Sequence, residues 1–343
     1  MTYPVIPLFI GGLDGYHTYR IPALIRAANG DLLALAEGRR NSEADHGKID
    51  LVMRRGSRDG QSWGPLQVIY GEQGEITCGN PVALLDKRGR LHVILCRNNR
   101  DAVLSMHSDD HGQSWSPLRT IFTADALSAG FGIGVTRFGT GPCHGITLAN
   151  GRLVVPIWMK FGDSLRYDEG GFRAGLLLSD DNGTSWQTGA LADEGTNEST
   201  VAVLPDGTLV MNSRSMAHPA GFRRTSRSTD HGLTFGETVI DETLVCPNCQ
   251  ASLTEDNGGR LWFCNPALRN DTVSYSAPLR RELTLRCSYD GGQTWPDATL
   301  IWDGPSGYSD LCPLGEGRCA VLFEKGDQTY HESIALTVAE PLR

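Results

Sequence analysis

The stretch Tyr19-Arg-Ile-Pro-Ala-Leu-Ile-Arg26, then Ala-Ala-Asn29-Gly30, then Asp31-Leu-Leu-Ala-Leu-Ala-Glu-Gly-Arg39-Arg40 reads as one hairpin. Two apolar runs flank an Asn-Gly pair, which suits a tight turn because both residues tolerate positive φ. The strands are antiparallel, so the start of the first and the end of the second lie together. Arg20 and Arg39 occupy that end. Two guanidiniums brought to one place repel each other, which points to an anion between them; the competing reading is a pair of solvated surface arginines.

The turn glycine recurs. Gly30-Asp-Leu, Gly89-Arg-Leu, Gly151-Arg-Leu, Gly207-Thr-Leu, Gly259-Arg-Leu and Gly317-Arg-Cys stand 52 to 62 residues apart, each between short apolar runs. A third apolar run follows each pair. Such a period marks a repeat architecture, and all-β units of this length suit propeller blades. The spacing predicts an all-β chain: a six-bladed β-propeller of four-stranded antiparallel sheets, one domain over residues 1–343. Residues 3–9 are expected to supply an extra strand to the last blade and close the ring.

A sharper repeat overlies the first. Ser108-Asp-Asp-His-Gly-Gln-Ser-Trp115, Ser179-Asp-Asp-Asn-Gly-Thr-Ser-Trp186, Ser228-Thr-Asp-His-Gly-Leu-Thr-Phe235 and Ser288-Tyr-Asp-Gly-Gly-Gln-Thr-Trp295 share one pattern, and Ser57-Arg-Asp-Gly-Gln-Ser-Trp63 is one residue shorter. The Asp accepts backbone N–H groups, the Gly takes positive φ and the aromatic ring pins the loop. Ligand oxygens are too few for a calcium loop. These turns follow the third strand, so they belong to the face opposite Arg20 and Arg39.

Bulk properties narrow the partners. The chain has 343 residues, 41 glycines, 17 prolines and a formal net charge of −9. That charge argues against nucleic acid or an anionic membrane. No run of 18 apolar residues occurs, and the N-terminus lacks signal-peptide character, so a cytoplasmic protein is expected. Nine scattered cysteines do not form a disulfide framework. Cys246-Pro-Asn-Cys249 lacks a second ligand pair or a redox-fold context, so its thiols are read as buried hydrophobes.

Tyr-Arg-Ile-Pro at 19–22, Glu-Gly-Arg at 37–39 and the Asp boxes together resemble the sialidase (neuraminidase) superfamily, exo-sialidases in particular, over about residues 17–325. The resemblance implies an exo-α-sialidase that retains anomeric configuration. Arg20, Arg214 of Asn-Ser-Arg and Arg280 of Arg-x-Glu-Leu match the triad that grips the substrate carboxylate, with Arg281 as a rival for the last. Planar guanidiniums suit that task at any working pH. Glu324 matches the glutamate that braces the first arginine. Tyr308, in Gly-Tyr-Ser-Asp, matches the nucleophile, and Glu198, in Thr-Asn-Glu-Ser-Thr, its base. A neutral tyrosine avoids the repulsion that the anomeric carboxylate would exert on an anionic nucleophile, and sialidases are the known tyrosine exception among glycosidases. The neighbouring arginines are expected to ease ionisation of the phenol.

Asp45 matches the acid/base on the aglycone side, with Glu43, Asp50 and His46 as rivals. Arg39, Asn80 and Trp158 are expected to line the C4, acyl and glycerol regions. Cys143 stands in Gly-Pro-Cys-His-Gly where glycine is usual, which puts the acyl or glycerol end in question. Measured from the turn glycines, Gln250 and Arg97 should also crowd the axis. This chemistry needs no metal or organic cofactor. The expected partner is a sialylated glycan or the glycoside of a related keto sugar acid such as Kdn or Kdo, bound by a monomer. A non-catalytic glycan-binding propeller is the reading from another class.

Overall fold

The computed structural model describes residues 3–162, 171–216, 221–268 and 280–340. Strands dominate, and Ala124–Phe131 forms an α-helix, capped by Thr123 and closed by Gly132 at φ +68. Among the described residues no helix is long and apolar enough to cross a membrane.

The opening hairpin pairs Thr18–Arg26 with Leu32–Arg39, in the register Thr18 to Arg39 and Arg26 to Leu32. Its turn is longer than a two-residue loop. Gly30 alone takes the positive φ, at +93, while the Asn29 side chain accepts the Asp31 N–H at 3.1 Å. Ile49–Gly56 and Gln67–Tyr70 complete this first sheet. The second contains Cys78–Leu85, Leu91–Arg97, Ala102–Ser108 and Arg119–Thr123; the third centres on Val135–Thr140, Leu153–Phe161, Phe172–Ser179 and Gln187–Leu191; the fourth on Thr196–Val203, Leu209–Ser215, Phe222–Ser228 and Val239–Val245.

The remaining strands form one seven-stranded sheet, so hydrogen bonding divides the described residues into five sheets. The cause is a 19-residue strand, Asp297–Gly315. Its first half pairs with Arg281–Ser288 and its second with Arg318–Lys325. Ile6–Ile10 pairs antiparallel with Ser333–Ala339 at the far edge, as expected for the N-terminal segment.

Apolar side chains fill the space between neighbouring sheets. Leu33, Leu35 and Met53 of the first meet Leu91, Val93 and Leu104 of the second. Leu24, Leu32 and Val52 of the first meet Leu322 and Leu336 of the last, so the succession of sheets returns to its start. Each buried Leu or Val side chain contributes roughly 1.5–3 kcal/mol.

The Asp boxes sew these layers together. Trp115 packs in the layer between the first and second sheets, and Trp186 in that between the second and third. Asp110 Oδ1 accepts the N–H groups of Gln113 and Ser114 at 3.0 and 2.9 Å, and Gly112 takes φ +81. An arginine from the preceding sheet donates to a carbonyl of the box: Arg55 to His111 at 2.8 Å, Arg152 to His231 at 3.0 Å, Arg227 to Gly291 at 2.6 Å.

One short segment crosses the middle. Cys143–His144 pairs parallel to Val82–Ala83. Gly141 accepts the Ser199 N–H at 3.0 Å and donates to Pro156 at 2.8 Å, joining the third and fourth sheets. His144 Nδ1 donates to Asp310 Oδ1 at 2.6 Å, and Asp310 Oδ2 accepts the Leu24 N–H at 2.7 Å. This segment fills the axis beneath the site.

Candidate active site

A cavity of about 490 Å³ opens near the start of the first strands. Arg20, Arg39, Asp45, Asn80, Trp158, Glu198, Arg214, Arg280 and Tyr308 all line it. Glu324 lies directly behind, wholly buried.

Three guanidiniums gather round one phenol. The Arg20 and Arg280 carbons stand 5.1 and 5.6 Å from the centre of the Tyr308 ring. Arg214 Nη1 donates to the Tyr308 hydroxyl at 3.2 Å and to Glu198 Oε2 at 2.7 Å. The hydroxyl itself donates to Glu198 Oε1 at 2.5 Å. Positions 20, 214, 280 and 308 therefore converge despite their separation in the chain.

The cations are held differently. Arg20 forks onto Glu324 through Nε and Nη2, at 2.7 and 3.1 Å. A bulge at Ile21, with φ +58, also turns that residue's N–H onto Glu324 at 2.9 Å. Arg280 meets the Tyr330 hydroxyl at 3.1 Å and the Asn248 carbonyl at 2.5 Å. It has no carboxylate partner among the described residues, and its Nε is buried without a partner. A cation in that condition favours an incoming anion.

The phenol departs from expectation. Burial, and then the Glu198 charge, push the Tyr308 pKa well above its ordinary 10.0, outweighing the pull of Arg214 and Arg280. The arginines therefore do not by themselves lower the phenol's pKa below its ordinary value.

At the rim, Arg39 Nη1 lies 2.8 Å from Asp45 Oδ1, with Arg20 Nη1 at 3.8 Å. The Asp45 side chain is 81 % exposed. The enclosing wall works upward on its pKa, but Arg39 and Arg20 prevail and hold it below 3.8. Of its rivals, Glu43 also lines the cavity, where its Oε2 bonds His331 Nδ1 at 2.6 Å, and Asp50 lies outside it, meeting Tyr16, Arg40 and Lys48. His46 borders a neighbouring groove. Arg281 lies within a strand paired to Pro305, while Arg280 reaches the cavity.

Three expectations need correction. Arg97 does not line the cavity but pairs with Glu72 and Asp101. Gln250 does not line the cavity either: it accepts the Ser309 N–H at 3.0 Å and donates to the Ser309 carbonyl at 2.9 Å, beside Tyr308. Cys143 does not line the cavity: it is buried in the Cys143–His144 segment at φ +133. Cys143, His144 and Asp310 hold three possible metal-ligand atoms within 4.8 Å of one another. His144 and Asp310 are spent on each other, however, and Asp310 also accepts two amides. The cluster therefore reads as a buried ion pair.

The sequence did not single out Glu37, Asn248, Tyr330 or His331, all of which line the cavity. Glu37 holds Arg39 at 3.0 and 2.7 Å. It shares the Glu-Gly-Arg motif, and the two-residue strand period places it on the same face as Arg39. Tyr330 carries no local signal.

A BNR repeat-like domain matches residues 30–321. The chain belongs to the sialidase superfamily. A sialidase from Micromonospora viridifaciens is 30 % identical over 93 % of this chain, which spans only about half (52 %) of that relative. An exo-alpha-sialidase from Aspergillus fumigatus is 29 % identical, covering 90 % of this chain and 79 % of its own. Among solved structures, the Hadza microbial sialidase Hz136 superposes with a TM-score of 0.81 at 26 % identity, covering 98 % of this chain and 68 % of its own. The sialidase likeness thus extends from the Asp-box scaffold to nearly the whole chain.

Proposed function

We propose that this chain is an exo-α-sialidase, hydrolysing terminal sialic acids with retention through a tyrosyl-enzyme intermediate. The observation that carries the reading is the Tyr308 hydroxyl on Glu198 at 2.5 Å, set among Arg20, Arg214 and Arg280. A carboxylate held by the three guanidiniums brings its anomeric carbon to the phenol. Glu198 takes the phenolic proton as Tyr308 oxygen bonds that carbon, and Asp45 gives a proton to the departing glycosidic oxygen. Water then bonds the anomeric carbon as the bond to the Tyr308 oxygen breaks; Asp45 takes one proton from that water, and Glu198 returns the phenolic proton to Tyr308.

The depressed Asp45 carboxyl has to be protonated for the first step. A bound substrate carboxylate offsets the charge of Arg20, and the sugar excludes water; both effects raise Asp45 towards its task. Arg39, Asn80 and Trp158 contact the sugar's periphery, and Glu324 braces Arg20.

We further propose one domain over residues 1–343, working as a monomer, with six blades. Apolar layers between successive sheets support that count, as does the division of Asp297–Gly315 between two pairing partners.

2,3-Difluorosialic acid, a 3-fluorosialosyl fluoride, tests the mechanism. Mass spectrometry should find the sugar on the Tyr308 peptide, and proton NMR should find the α-anomer as first product. An unlabelled Tyr308, or the β-anomer first, overturns it. Aryl glycosides of N-acetylneuraminic acid, Kdn and Kdo, assayed side by side, decide the sugar; binding without turnover would mean a lectin.

A further inference from the structure

Cys246-Pro-Asn248-Cys249 reads as a thiol motif, yet both thiols are free and buried. The residue it presents to the cavity is Asn248. Asn248 Oδ1 accepts Arg214 Nε at 2.7 Å, and its backbone oxygen accepts Arg280 Nη2 at 2.5 Å. One residue thus holds two mutually repelling guanidiniums, one from Leu209–Ser215 and the other preceding Arg281–Ser288. Asn248 takes φ +51, a conformation that asparagine tolerates better than most residues.

The segment is anchored from below. Arg223, with no exposed surface, donates Nη1 to the Cys249 carbonyl at 2.7 Å and stands 3.6 Å from Cys246 Sγ. Its Nε donates to Asn212 Oδ1 at 2.7 Å, on the strand that carries Arg214. No carboxylate meets Arg223 among the described residues. Anchor, segment and clamped arginine therefore form one closed chain of contacts.

We propose that Asn248 is a positioning residue of the anion clamp, its two oxygens fixing the gap between Arg214 and Arg280. Arginine is long and flexible, so a guanidinium held in place before the ligand arrives loses less freedom on binding. The identity of the anion rests on the sialidase reading; the clamp geometry does not.

Asn248→Gly tests it, because glycine accepts the same φ and removes only the Oδ1 contact. Losing one charge-assisted hydrogen bond should raise KM for an aryl sialoside, and Kd for free N-acetylneuraminic acid, by about tenfold. The rise in KM should exceed the fall in kcat. A crystal structure of the variant should show Arg214 displaced. KM and Kd within twofold of wild type, or Arg214 unmoved, overturns the proposal. Should wild type neither cleave the sialoside nor bind the acid, the sialidase reading fails, and the Arg214 position alone decides the clamp. Should the glycine variant not fold, Asn248→Ser carries the same readouts, its hydroxyl being one atom too short to reach Arg214.

Discussion

Glu324 meets Arg20 side by side, through contacts of 2.7 and 3.1 Å, with neither residue more than 5 % exposed. The same carboxylate accepts the N–H groups of Ile21 and Tyr308, each at 2.9 Å. One buried anion therefore ties Arg20 and its strand to the backbone of Tyr308. Glu324→Ala would strand a buried cation and two amides, and should cost about 3–5 kcal/mol in urea unfolding. Glu324→Gln keeps an acceptor and should cost less. Gly307→Ala should loosen the same joint, since its methyl would come within 2.1 Å of Glu324 Oε2. Equal stability of Glu324→Ala and wild type would refute this account.

Leaving groups separate the roles of Tyr308 and Asp45. If Tyr308 is the nucleophile proposed above, Tyr308→Phe removes the attacking oxygen and should lower kcat by about 10³-fold or more on every substrate. Asp45→Ala removes a proton donor, worth about 10²–10⁴-fold where the leaving group is a sugar alcohol. A nitrophenolate leaves with little help, so the Asp45→Ala loss on a nitrophenyl sialoside should be much smaller. Equal losses on both substrates would take the general-acid role from Asp45.

His144 supplies a pH signature for stability. Burial alone would lower its pKa, but the Asp310 carboxylate and hydrogen bond, with Cys143 alongside, hold it well above 6.5. The folded state thus keeps a proton that the unfolded chain releases near pH 6.5. The pair's stabilisation is fully present below that pH and declines as pH rises towards the folded pKa, by up to about 1.4 kcal/mol per pH unit. The stability gap between wild type and His144→Gln should be widest at pH 6 and narrower at pH 9. A gap that widens with pH would contradict the sign.

Much of this was legible because it is local. The Asn29-Gly30 hairpin and the Asp boxes carry their geometry in a few adjacent residues, and the quoted motifs mark positions that do converge on one cavity. What stayed hidden depends on contacts distant in sequence. A position measured from a turn glycine marks a strand end but not the partner its side chain finds, so Arg97 was misplaced: Glu72 and Asp101 draw it away. The Asp297–Gly315 strand changes partner within Asp303-Gly304-Pro305-Ser306-Gly307, residues typical of a turn, yet the chain stays extended there because each half finds its own partner. Asn248 was masked by the cysteines around it, since a spacing rule for thiols says nothing of the residue between them.

The Asp boxes should matter to folding and not to the sugar. Trp115 fills the layer that Leu33 and Leu35 share with Leu91 and Val93, and Gly112 in the same box comes so near Leu33 that an added methyl would lie 2.9 Å from it. Trp115→Ala leaves a void there and should cost about 3 kcal/mol, read from the urea midpoint at unchanged slope. The box lies at the far end of its strands from Arg20 and Tyr308, so KM for an aryl sialoside should stay within twofold wherever the variant remains folded. Gly112→Ala combines a strained φ with that close approach and should destabilise as well. A rise in KM without loss of stability would mean that these turns reach the cavity after all, and that the division between a bracing face and a binding face is wrong.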